Sequence, residues 1–179
     1  MAEGTLSREE RLARAGQRIE DYAAAGMEKM AEKFGDLKAS FESELSGLTK
    51  EQIRYSPGEA QWSVNEVCRH VIRSLNGGTM LSVALAAGKP PKPNPDAKMG
   101  AMIDDTEDFD AIRSSVLAAF DQAVESAGKI MDESNLDAVF PHPFFGERNC
   151  REWVGFNVMH MEIHLNQVRR IKSSEGYPV

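Results

Sequence analysis

An all-α four-helix bundle with a long crossover between its second and third helices is the fold this chain predicts, and three observations carry it. Apolar residues recur at spacings of three and four in four separate segments, the signature of amphipathic helices. No segment shows a convincing strand alternation. Between the second and third helical segments, residues 88–105 contain Pro90, Pro91, Pro93 and Pro95, which forbid a helix and leave a long connection.

The elements follow in order. Residues 7–25 have helical composition, but the stripe Leu12, Ile19, Tyr22 is thin and Gly16 and Gly26 weaken it. Residues 1–26 are therefore expected to form an N-terminal helical extension, and residues 27–179 the bundle domain. The first bundle helix presents Met27, Met30, Phe34, Leu37, Phe41, Leu45 and Leu48 on one face. The second opens with Ser63 and Glu66 spaced as a capping box, with Trp62 and Val67 at the positions of a hydrophobic staple. Its inward stripe reads Val67, His70, Val71, Ser74, Leu75, Gly78, Leu81 and Leu85. Each glycine of Gly77-Gly78 costs about 1 kcal/mol relative to alanine inside a helix, so the pair implies either a very close neighbour or a bend. The third helix is expected from Thr106 to Met131, with Phe109, Ile112, Val116, Phe120, Ala123, Ala127 and Ile130 inside. The fourth starts at Asn149 with Glu152 three residues on, and its stripe is Trp153, Phe156, His160, His164, Gln167 and Ile171.

Composition narrows the function. A chain of 179 residues is expected to fold as one compact domain. Its 28 acidic against 21 basic residues, a net charge of -7, argue against non-specific nucleic-acid binding, which needs clustered positive charge. The N-terminus reads as no signal peptide, and the longest apolar stretch, Met80 to Ala87, falls far short of the roughly 20 residues of a membrane span. A soluble cytoplasmic protein with no membrane and no nucleic-acid partner is the expectation. Cys68 and Cys150 fit reduced structural thiols, and two cysteines cannot form a Cys₄ metal site. A soft-metal site must therefore rely on the four histidines, His70, His142, His160 and His164.

His160 and His164 lie four apart on the core-facing stripe, so both imidazoles point the same way and can share one metal ion. Glu162, between them, is rotated to the opposite face and cannot act as the general base of a zinc-protease motif. His70 is the only other histidine on a core-facing helical stripe, and three neutral imidazoles leave coordination positions open, as in catalytic sites. The plain alternative is three half-buried histidines bonded to carbonyls, although two unpaired imidazoles in a core would be costly. His142, in Phe140-Pro141-His142-Pro143-Phe144, reads as a loop residue near the site mouth. Gln167, one turn beyond His164, either orients a bound species or fills the wet end of the stripe. A ferritin-like di-iron site is excluded, because the residues three before the histidines are Val67, Val139, Asn157 and Met161 rather than glutamate.

The run Trp62-Ser63-Val64-Asn65-Glu66-Val67-Cys68-Arg69-His70-Val71 resembles the opening of the second helix in the DinB-like superfamily. The segment Pro141-His142-Pro143-Phe144-Phe145-Gly146-Glu147, followed by Arg151-Glu152-Trp153 and then His160, His164 and Gln167, resembles that family's loop and fourth helix. The resemblance implies a four-helix bundle, often a homodimer, with a divalent metal on His70, His160 and His164. It further implies a metal-dependent enzyme acting on a small-molecule substrate, either a transferase using a low-molecular-weight thiol or a hydrolase activating water. Zn²⁺ is the expected ion and Ni²⁺ an acceptable one, since imidazole suits both. The alternative is a non-catalytic stress-response or dimerisation module whose metal is structural or absent.

Overall fold

A computed structural model describes residues 6–92, 108–130 and 134–178. Among them are six helices, α1 (Arg8–Ala25), α2 (Met27–Leu45), α3 (Lys50–Arg54), α4 (Val64–Ala86), α5 (Phe109–Ala127) and α6 (Cys150–Lys172), and two short strands, β1 (Phe140–His142) and β2 (Gly146–Arg148). Helices α2, α4, α5 and α6 are the four bundle helices read from the apolar spacing, with α4 packed between α5 and α6 and α2 against both. The connection after α4 can be followed to Lys92; residues 93–107, which hold most of the expected crossover, lie outside the described residues, as do Thr106 and Met131 at the expected ends of α5.

The core is built from the expected stripes. Phe34 and Phe41 of α2 meet Phe120 of α5 with ring centroids 6.5 and 5.3 Å apart, and all three rings are buried. Val67, Val71, Leu75 and Leu85 of α4 and Val158, Met161, Leu165 and Val168 of α6 complete one continuous apolar cluster. The ends are fixed as the caps require. Ser63 accepts a hydrogen bond from the Glu66 amide while the Glu66 carboxylate accepts from the Ser63 amide, and Asn149 and Glu152 do the same for α6.

Three features go beyond the spacing. The short helix α3 is capped by Thr49 and Gln52, and β1 and β2 form an antiparallel hairpin pairing Phe140 with Arg148 and His142 with Gly146. No strand was expected there; three-residue strands are too short to display an alternation. The N-terminal helix α1, capped by Ser7 and Glu10, lies along α6 rather than apart from the bundle. Its Ile19 is wholly buried, and its backbone comes so near α6 that a Cβ on Gly155 would meet the Ile19 carbonyl oxygen at 2.7 Å. Only glycine admits that approach. Gly78 of α4 has the same purpose on the other side of α6: a side chain there would overlap the buried amide of Asn157. Of the two meanings open to the Gly77-Gly78 pair, the close neighbour is the one realised.

Candidate metal centre

Helices α4 and α6 run side by side through the core, and this brings His70 opposite His160 and His164. The Nε2 atoms of His70 and His160 are 3.3 Å apart, those of His160 and His164 2.8 Å, and the ligand atoms of all three lie within 4.8 Å of one another. This is the one such group of three among the described residues. His164 is buried and the other two are half-buried.

Burial keeps the cluster uncharged. Desolvation pushes the His160 imidazole down to about 3, helped by the neighbouring His164, His70 and His142 rings. It pushes His70 down to about 4, with His164 and the Arg73 guanidinium adding to the effect. His164 is also lowered by burial, partly opposed by its bond to Gln167. Neutral imidazoles with free lone pairs are the form a metal ion requires.

Each outer ring nitrogen has a different neighbour. The Oε1 of Gln167 sits 2.9 Å from Nδ1 of His164, and a side-chain amide oxygen accepts only, so the contact favours the tautomer with the proton on Nδ1 and Nε2 bare. The Arg73 guanidinium, which can only donate, faces Nδ1 of His70 at 3.3 Å, so a metal ion on Nε2 requires Nδ1 to take the ring proton and Arg73 to release this contact. Nδ1 of His160 is buried with no hydrogen-bond partner among the described residues. Three Nε2 atoms gathered at one point cannot all be satisfied by each other's protons. A tetrahedral ion with Zn–N bonds of about 2.0–2.1 Å sets its ligand nitrogens about 3.3 Å apart, so the donor set and spacing fit a divalent cation.

The surroundings sort the remaining candidates. Glu162 points away from the cluster, as its helical phase requires, pairing with Arg18 and accepting a 2.7 Å hydrogen bond from the Tyr22 hydroxyl on α1. His142 lies in β1, not in open loop. Its ring packs at 4.4 Å on Phe156, which lies 5.0 Å from His160, and burial pushes its pKa down to about 4, with Arg148 contributing. It borders the site through Phe156. Cys68 is buried in the core, which pushes its thiol up to about 12, and Cys150 is buried at the start of α6; neither joins the cluster.

Trp62, at the staple position of the α4 entry, lays its indole over the cluster, 5.0 Å from the His70 ring and stacked at 13° on His164. It remains 38% exposed, because its other side borders a cleft of about 490 Å³. Ala60, Gln61, His164, Gln167, Arg170 and Ser174 are among its other walls. Trp62 and Arg170, like Arg73, are residues sequence reasoning missed. A tryptophan at a staple position carries a packing explanation already, and basic residues in a last helical turn are ordinary.

The comparisons agree with this architecture. The chain is 25% identical over 161 residues to the uncharacterised protein YuaE of Bacillus subtilis (strain 168), covering 78% of this chain and 94% of that protein. Its fold superposes on YfiT from Bacillus subtilis, described as "a probable metal-dependent hydrolase with an unusual four-helix bundle topology", with a TM-score of 0.68 at 15% identity over 99% of this chain and 94% of that one. It also superposes on the four-helix bundle protein TT2238, with a TM-score of 0.60 at 16% identity over 80% of this chain and 98% of the other. The sequence profile of the DinB superfamily matches residues 33–168, from the first bundle helix to the end of the histidine stripe, and the chain belongs to that superfamily.

Proposed function

We propose that this protein is a metal-dependent enzyme in which His70, His160 and His164 hold one divalent cation, Zn²⁺ or, with the same donors, Ni²⁺. The observation that carries the reading is the convergence of three neutral Nε2 atoms on a single point. A bound ion supplies Lewis acidity, favouring the anionic form of a thiol or a water molecule as nucleophile. Around it the chain's own groups hold the chemistry in place. Gln167 favours the metal-ready tautomer of His164, Trp62 covers two of the rings, and the Phe156 and His142 rings close the hairpin side against water.

Substrate reaches the cluster from the cleft beside His164 and Gln167. This opening favours catalysis over a structural metal, which would be closed on all sides. The description of YfiT as a metal-dependent hydrolase supports the hydrolytic form of the reading; the bare three-imidazole donor set supports transfer to or from a low-molecular-weight thiol equally well. A homodimer is part of the proposal, read out by light scattering in solution. The metal claim is tested by His160→Ala with elemental analysis: the variant is expected to lose the ion while keeping its helical content, and unchanged stoichiometry would sink the assignment.

A further inference from the structure

The geometry points to a small anionic substrate, its negative end held by Arg170 at the far side of the cleft from the histidines; this rests on the reading of the cluster as a metal centre. Three observations lead there. The first is an excess of positive charge. The three imidazoles bring no carboxylate, so a divalent ion would keep its full charge, and the Arg73 guanidinium stands against His70 with no carboxylate partner among the described residues. A ligand supplying negative charge is the direct way to balance such a site.

The second is the arrangement of the last turn of α6. Arg169, Arg170 and Lys172 all suit the negative end of the helix dipole. Arg169 and Lys172 both donate to Glu44 of α2, at 3.0 and 2.6 Å. Arg170 instead lines the cleft, and among the described residues no carboxylate pairs with it. His164, Gln167 and Arg170 follow one another at steps of three along α6, and Ser174 continues the cleft wall just past its end. At 1.5 Å per residue, Arg170 lies about 9 Å along the axis from His164. A ligand whose reacting atom meets the histidines thus has its anion about two turns away.

The third is the opposite wall. Ala60 has φ of 63°, a left-handed conformation unusual for a residue with a side chain, and the single hydroxyl proton of Ser56, shared between the Gly58 and Gln61 carbonyls, ties down the loop that carries it. Backbone held in such a conformation gathers at ligand sites. The wall is preorganised, and Gln61 adds a polar side chain to the cleft.

The test uses two isosteric thiols, 6-mercaptohexanoate and 6-mercaptohexan-1-ol, titrated calorimetrically into the Zn²⁺-loaded protein. An exposed arginine pairing with a carboxylate predicts that the acid binds about fivefold more tightly than the alcohol. Arg170→Ala is expected to bring the acid to the affinity of the alcohol without altering the alcohol, and Arg170→Lys to keep most of the preference. Equal binding of the two thiols to the wild type, or a preference that survives Arg170→Ala, overturns the inference. Elemental analysis of the same samples separates the two claims. Should the wild type hold no zinc, the metal reading fails, and the preference of the metal-free protein for hexanoate over hexan-1-ol, followed by chemical-shift titration, decides the anion site alone.

Discussion

Gln167 shows how one side chain sets the chemistry of another. Its oxygen can accept a hydrogen bond from Nδ1 of His164, and this favours the tautomer whose Nε2 lone pair is aimed at the cluster. Gln167→Leu removes that restraint without changing any of the three histidines. Loss of such an outer partner costs about 10–100-fold in metal affinity, so competition with a chelator is expected to show Zn²⁺ bound that much more weakly. An affinity equal to that of the wild type would mean that Gln167 merely fills the cleft wall. The meeting of His160 and His164 was legible in the sequence, because a spacing of four fixes their relative direction whatever the rest of the chain does. His70 was legible only through its place on an apolar stripe. Arg73, Arg170 and Trp62 were not, since what each faces depends on the packing of α4 on α6 and on a loop whose shape no periodicity records.

At the scale of elements, α6 is held from both sides by residues with no side chain to lose. Gly78 receives Asn157 from α6, and Gly155 lets α1 settle on the back of the histidine helix. Alanine at position 155 would gain about 1 kcal/mol in helix propensity. It would also drive a Cβ into the Ile19 carbonyl and within 3.1 Å of the Tyr22 Cβ. Backbone cannot yield as a flexible side chain does, so Gly155→Ala is expected to lower stability by about 1–3 kcal/mol in a denaturant melt. No loss, or a gain, would show that α1 is free to shift. The bundle helices were readable because their stripes are thick and their capping boxes explicit. The docking of α1 was not, because a thin stripe with one buried isoleucine resembles a solvated helix until its partner groove is known. The hairpin escaped for a different reason: its strands are set by Gly146 and by ring packing of His142 on Phe145 and Phe156, not by alternation.

Across the whole molecule, the last turn of α6 is tied to the end of α2 by ion pairs that depend on pH. Burial raises the pKa of Glu44, but the hydrogen bonds from Lys172 and Arg169 outweigh it and hold the carboxyl below its ordinary value. A group whose folded pKa is depressed stabilises the protein above its unfolded pKa of about 4.3, and this contribution fades as pH falls through the folded value. Glu44→Gln is therefore expected to cost about 1 kcal/mol at pH 7, and the gap from wild type to narrow as the pH drops below about 4. Melting temperatures across that range check it; a gap that stays constant would assign the effect to packing. No helix among the described residues is long and apolar enough to cross a membrane, which matches the short apolar runs of the sequence.

The indole of Trp62 lines the cleft beside His164 and packs on the imidazoles, whereas Trp153 is buried, its Nε1–H donating to the Phe140 carbonyl. The molecule thereby carries an unlabelled optical gauge: emission from a half-exposed indole stacked on His164 should respond when the proposed site binds an ion, while the enclosed indole supplies a constant background.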